Sequence, residues 1–471
     1  MSSRRSDILP GPQRATARPW RATLFANVPL VICLIAVIPI GRMLEDNLDP
    51  YYFRMLMLIG FNIILAVSLQ LINGFSGQFS LGHAGFMAVG AYLAAYPAIQ
   101  YSNDLKDPGT SLLFFVSLGI SVGIGAVVLW LIFIGLRLSR HLHRSVPGIL
   151  LVVLLVWIVA DFAISARMSR MPVLGVWSHL ANGLERLFSA IISGLGPAAA
   201  KISRALPEAS RQPVCFIILL YGAGCCASAV GFIVGLPALR LRGDYLAIAT
   251  LGFAEIIRIG IQNSAPLGGA LGLTSIPKYT NFAWLYVVVI VTVVTVWRLA
   301  YSSKGRAIMA VREDEVAASS IGLNTTTYKV LSFTVGAFFA GVAGGLFSLH
   351  ERSITPGYFN VIKSIEPVVM VTLGGLGSIS GAILAAVVLT LLPELLRALP
   401  TILPSLLFWL PPSVERALEI NPEGRMVIYS VLLVVMMILR PQGLLGGREL
   451  WPRRRGPLRT VAPTEEEVVP A

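Results

Sequence analysis

The chain has 471 residues, 55% of them hydrophobic and 13% charged, with a formal net charge of +13. Soluble globular chains carry about a quarter charged residues, so this apolar excess excludes an ordinary water-soluble fold and points to an integral membrane protein. The basic residues gather at the ends of apolar runs and form no single stripe, which excludes a nucleic-acid reader and follows the positive-inside bias of membrane loops.

A helix crossing lipid needs about 20 mostly apolar residues. About eleven runs qualify, near 23–41, 54–72, 82–99, 111–136, 146–165, 214–236, 244–262, 283–300, 329–349, 365–393 and 425–440. Backbone groups find no water in lipid, so each run is predicted to be helical. The expected fold is an all-α polytopic bundle of about 10–11 apolar helices, with at least one re-entrant or broken. A basic leader, 1–22 (Arg4, Arg5, Arg14, Arg18, Arg21), precedes a permease-sized membrane domain, 23–446. The first run lacks an A-x-A cleavage site and is read as a retained span. Cys33, Cys215, Cys225 and Cys226 lie within apolar runs without metal-ligand spacing and read as small apolar fillers.

Charge sets the expected orientation. Arg137, Arg140 and Arg144 follow the fourth run, Arg240 and Arg242 the sixth, and Lys304, Arg306, Arg312 and Lys329 bracket the loop after the eighth. Placing these and the leader in the cytoplasm lets the first eight runs alternate. The basic tail (Arg448, Arg453, Arg454, Arg455, Arg459) belongs inside too, yet eleven full spans would leave it outside. An odd number of runs therefore fails to cross. The best candidate is 365–393, where Gly374-Gly375-Leu376-Gly377-Ser378 permits a hairpin of half-helices; the stretch from Gly74 to Gly85 is the second. Residues 167–212 are mixed in polarity and read as a periplasmic connection with amphipathic helices. Residues 400–424, with five prolines, read as extramembranous, and 447–471 as a disordered cytoplasmic tail.

The charged loop Ser303 to Lys329 predicts a helix over Gly305–Ser320, Gly322 as its C-terminal glycine, and Asn324 or Thr325 as the cap of the next span. Such a helix is either a lever against a cytoplasmic partner or a solvated linker.

Here the sequence resembles a known family. NGFSGQFSLGHAGFMAVGAYLAA at 73–95, GLPALRLRGDYLAIATLGFAEIIR at 235–258, KGRAIMAVREDEVAASSIGLNTTTYKVLSFTVGAFFAGVAGGLF at 304–347, VTLGGLGSISGAILAA at 371–386 and LRPQGLLG at 439–446 resemble, in order, the inner-membrane permease subunits of branched-chain amino acid ABC importers. The resemblance implies a second homologous permease, two cytoplasmic ATP-binding subunits docked on the coupling loop (303–328), and a periplasmic solute-binding protein. It places Glu315, Ala317, Ala318 and Gly322 in an EAA-like pattern, with Arg312, Glu313 and Asp314 just before it, in an ATPase groove. The chain has no G-x-x-x-x-G-K-[ST] loop, so ATP and Mg are expected in the partner subunits and no cofactor in this one. Related chains need one span between the GAYL-like stretch and GLPALRLRG; this chain has three runs and the polar stretch, an inserted region 138–212. Two added spans preserve the inside/outside order.

Single residues carry alternatives. Glu255 sits inside an apolar run and either lines the pathway or pairs with Arg258 one turn on. His83, after Gly82, is a pathway or gating residue, or a packing one. Ala337, Gly341 and Gly345 fall four apart, the spacing of close helix contact. Gly374, Gly375 and Gly377 suggest a bend near the pathway. No catalytic or metal-binding set stands out, so the chain reads as a transport subunit and not an enzyme. The alternatives are a urea or amide permease of the same architecture, and an ion-coupled secondary transporter, disfavoured because Glu255 is the one intramembrane carboxylate noted.

Overall fold

The structure, a computed structural model, describes residues 20–103, 208–238, 241, 243–264, 267–406, 430–431, 434–440, 442–446 and 449–450. The runs 111–136 and 146–165, residues 1–19 of the leader, most of 138–212 and 400–424, and 451–471 of the tail lie outside the described residues.

The described helices are α1 (Trp20–Asn47), α2 (Pro50–Leu69), α3 (His83–Asn103), α4 (Glu208–Ala238), α5 (Asp244–Gln262), α6 (Phe282–Ala300), α7 (Ser303–Glu313), α8 (Glu315–Ser320), α9 (Thr325–Glu351), α10 (Val361–Gly374) and α11 (Ile379–Leu406). The described residues form no strand, only a single bridge between Leu273 and Ile354. Four of the helical stretches are long and apolar enough to cross a membrane: Pro50–Phe75, Leu219–Ala238, Phe282–Ala300 and Thr325–Glu351. The chain is thus an all-α helix bundle of membrane type.

Short polar side chains set the helix starts by accepting first-turn N–H groups left without a partner. Asp49 accepts from Tyr51 ahead of α2, Asn281 from Trp284 ahead of α6, Asn324 from Thr327 ahead of α9 and Asn360 from Lys363 ahead of α10. The helix expected over Gly305–Ser320 is interrupted. Asp314 is extended (φ −153°), and its carboxylate accepts from the N–H groups of Val316 and Ala317, starting a new helix. Gly322 follows α8 at φ +85°, where a side chain would be strained.

Contacts fix the direction of each helix. Call the end carrying α7 and α8 the lower end; α9 rises from it. Gly231 faces Ala337, Gly224 faces Val342 and Gly345 faces Leu220, so α4 descends. Phe61 meets Phe347 and Gly336 meets Ile72, so the helix of α2 descends. The start of α6 lies at the upper end, where the Thr280 hydroxyl donates to the Leu346 carbonyl at 2.9 Å. Between the lower end of α4 and the upper start of α6, α5 must rise through the bundle. Its nineteen residues span about 28 Å, close to the thickness of a hydrocarbon core. α3 also rises, from Phe86 beside Phe333 to Tyr92 beside Phe359. It ends, and α4 begins, at the upper end.

Both expected breaks are present, but the hairpin of half-helices is not: only its first arm is short, and the second, α11, has 28 residues and covers about 42 Å, enough for a full crossing. After α2 the backbone winds as a π-turn, Gln70–Phe75, then runs without helical structure to Leu81 and Gly82 before α3. The run 365–393 is a hairpin: α10 descends to Gly374, the chain turns over Gly375–Ser378, and α11 rises. α10, at fourteen residues, covers about 21 Å, less than a full core. α11 continues to Leu406, past Pro400 and Pro404, into the stretch expected to be extramembranous.

The core is a three-helix seam. A Cβ on Gly90 would lie 2.0 Å from the Gly341 oxygen, one on Gly344 2.0 Å from the Met87 oxygen, and one on Gly341 2.3 Å from the Ala227 methyl. The four-residue spacing is therefore a packing device. It lets α3 and α4 press directly on the backbone of α9.

Candidate functional site

The polar helix α7 lies against the two interruptions, and α8 follows it beside α9. Arg312, near the end of α7, turns toward its own bundle. Its Nη1 donates to the Gly74 carbonyl at 2.6 Å, and its side chain covers Gly77. A Cβ on Gly377 would sit 3.1 Å from the same nitrogen. Gln70 ties the π-turn to the hairpin: its side-chain amide donates to the carbonyls of Gly375 (3.0 Å) and Ser378 (3.1 Å). One guanidinium thus sits where both breaks meet. Gly375 (φ +105°) and Gly377 (φ +89°) form the turn, and Gly374 packs on Gly381 too closely for a Cβ.

A third segment closes the junction. The Leu444 N–H donates to the Leu373 carbonyl at 2.7 Å. The Glu449 carboxylate accepts from the Ile379 N–H (2.8 Å), the Ser380 N–H (3.1 Å) and the Ser380 hydroxyl (2.6 Å). A carboxylate at the first turn of α11 also opposes the positive end of the helix dipole. Glu449 and Leu450, expected within a free tail from residue 447, are held in this junction, because Glu449 has buried N–H groups to satisfy.

The remaining coupling-loop residues divide by exposure. Ala318 is buried, Glu315 pairs with Lys329 at 2.8 Å, and Glu313, Asp314, Ala317 and Gly322 face outward. Beside them Val316 is 67% and Ile321 76% exposed, two apolar side chains on an otherwise polar surface.

Higher in the bundle, Glu255 is bonded to Arg258, with its oxygens 2.9 Å from Nε, and Arg258 reaches Gln262 at 3.3 Å. Pairing is thus the observed geometry, and the pair stays partly open. His83 is fully buried after Gly82, its Nε2 2.8 Å from the Ser68 hydroxyl, with Nδ1 unpartnered among the described residues. The coupling-loop set and the His83–Glu255 set do not converge on one pocket: the first gathers at the lower end and the second at mid-depth.

Sequence reasoning missed Gln70, Glu449, Val316, Ile321 and Glu366. Glu366 lies inside the run 365–393 and pairs with Lys363 at 2.6 Å, so Glu255 is not the one carboxylate at depth. The spacing of Lys363 and Glu366, three apart on a helix, was a signal available in the sequence.

Comparisons with known proteins fit this architecture. A family model described as "Branched-chain amino acid transport system / permease component" matches residues 51–165 and 148–439. The chain is 38% identical over 258 residues to the high-affinity branched-chain amino acid transport system permease protein LivM of Salmonella typhimurium, covering 47% of this chain and 56% of that one. It is 26% identical over 255 residues to the probable branched-chain amino acid transport permease protein LivM of Methanocaldococcus jannaschii (50% and 71% covered). To the permease protein LivH of Salmonella typhimurium it is 27% identical over 248 residues (49% and 74%). It spans little more than half the length of the LivM relatives from enteric bacteria. No solved structure matches.

Proposed function

Starting from the chain's membership of the branched-chain amino acid permease family, we propose that it forms half of the translocation path of an ATP-driven importer, working beside a second permease of the same family. The solute in this reading is a branched-chain amino acid delivered by a periplasmic binding protein. Two cytoplasmic ATP-binding subunits, which hold ATP and Mg, supply the power. The lower end of the bundle, with both termini, faces the cytoplasm.

The observation that carries this reading is the bond from Arg312 to Gly74. Exposed Val316 and Ile321 offer an apolar foothold for an ATP-binding subunit. A push on α8 passes through Asp314 into α7, and through Arg312 to the π-turn and the hairpin tip. Both interrupted helices then move with the coupling helices. Interrupted helices bend at little energetic cost, because their backbone ladder is already broken at the pivot.

The test is reconstitution of this chain with its second permease, ATP-binding subunits and binding protein in proteoliposomes. ATP-dependent uptake of labelled leucine supports the proposal. Uptake of urea in place of leucine would replace the solute. Transport by the chain alone on a sodium or proton gradient would overturn it.

A further inference from the structure

Three features between the lower end of the bundle and its middle do not belong against lipid. The first is the unwound stretch after the π-turn. It climbs from Gly77, beside Arg312 at the lower end, to Leu81; Phe79 is exposed on one side of it, and no described residue donates to the Phe79 carbonyl. On the other side the buried Ser76 hydroxyl and both polar atoms of the Gln78 amide have no partner among the described residues. Non-helical backbone at membrane depth persists only where protein or a water-filled cavity covers it.

The second feature is the Glu255–Arg258 pair. Glu255 lies about 16 Å along α5 from its lower end, near the middle of the helix. Its side chain is 35% exposed and that of Arg258 23%. It stands one turn from Gly252 and Ile259, both on the open face of α5. The third is Lys363–Glu366 on α10, with Glu366 43% exposed. A short chain of contacts places the two pairs at the same depth. The Ala84 N–H donates to the Ser364 hydroxyl at 3.3 Å, and a Cβ on Gly85 would lie 2.8 Å from the Ala254 Cα. The unwound stretch joins α5 just below, where the Leu81 N–H donates to the Thr250 hydroxyl at 3.0 Å.

Charges at this depth almost always face a bundle interior or a water-filled cavity, because hydrocarbon makes them costly. We propose that the shared face of residues 79–81, α5 and the upper part of α10 is the water-lined wall of the solute passage, and that its two ion pairs receive the two charged ends of a zwitterionic α-amino acid. Each pair is self-neutralising when the passage is empty, so no net charge is stranded there. A passing zwitterion offers a carboxylate to Arg258 or Lys363 and an ammonium to Glu255 or Glu366. It exchanges one set of charge-assisted hydrogen bonds for another and finds a shallow site. This deepens the proposed function and rests on it for the solute, but not for the wall.

The experiment separates the two. Phe79→Cys and Gly252→Cys are made in the assembled complex, in a background with the native cysteines replaced by serine. Val291→Cys, on the exposed face of α6, is the lipid-facing control. Each is treated with a membrane-impermeant, positively charged thiosulfonate. Labelling at 79 and 252, absent at 291 and slowed by leucine with binding protein and ATP, supports the proposal. Labelling of neither position overturns the wall, even in a complex that transports leucine. Labelling that leucine does not slow, in a complex that does not transport it, leaves a water-lined wall and removes the amino-acid assignment. Glu255→Gln and Glu366→Gln test the ion pairs: each is expected to raise the KM for leucine uptake about tenfold, the scale of one charged hydrogen bond, while ATP hydrolysis stays within about twofold. An unchanged KM in both variants would overturn the role of the pairs.

Discussion

Replacing Arg312 with methionine keeps most of the volume over Gly77 and removes the donor to Gly74. A hydrogen bond from a charged group contributes about 1.5–3 kcal/mol when shielded from water. The Arg312 side chain is 35% exposed, so solvent screening brings the contribution to about 1 kcal/mol. At about 1.4 kcal/mol per factor of ten, this corresponds to about a fivefold weakening of the link between the coupling helices and the breaks. Val316 and Ile321 remain in place, so docking of the ATP-binding subunits should survive. The expected result is therefore loss of coupling without loss of assembly: about fivefold fewer leucine molecules imported per ATP hydrolysed, with the subunits still co-purifying. Arg312→Lys keeps the charge but shortens the reach, and should fall between. An Arg312→Met complex with the wild-type ratio of leucine to ATP would refute the idea that force reaches the helix breaks through this side chain.

Three further outcomes follow from the same structure. Gly90→Val places a branched side chain where the Gly341 carbonyl stands, and should lower the melting temperature of the detergent-solubilised chain by several degrees or prevent its accumulation; normal melting would contradict the seam. Glu449→Ala removes the acceptor for two N–H groups of α11 and should destabilise the hairpin by about 1 kcal/mol, read as faster amide exchange at residues 379–381. Ile321→Asp puts a charge on the apolar foothold beside α8, and should abolish co-purification of the ATP-binding subunits while leaving the melting temperature of the chain unchanged.

Among the described residues the sequence made the apolar helices legible, because a lipid-embedded helix has few ways to hide its composition, and the capping roles of Asn324 and Gly322 follow from local chemistry. The two interruptions were also readable, since Gly374, Gly375 and Gly377 are too dense for a helix. What could not be read was their meeting. Gln70 and Gly375 are 305 residues apart in sequence, and nothing local in Gln70 distinguishes it from a polar residue near a membrane surface. Asp314 illustrates another limit: it fits an unbroken helix as well as a new helix start, and the structure takes the second because its carboxylate satisfies two N–H groups at once. Glu449 was placed in a free tail on composition alone. Composition carries no information on whether an exposed helix end lies within reach.

The glycine contacts of α3 and α4 with α9 bear on what can move. Side chains between helices act as bearings, since rotamer changes let one surface slip over another. Where Gly90, Gly341 and Gly344 bring main chain onto main chain, that slack is missing. In the proposed importer these three helices are expected to turn as one piece, leaving any change of access from one side of the membrane to the other to the helices hung around them.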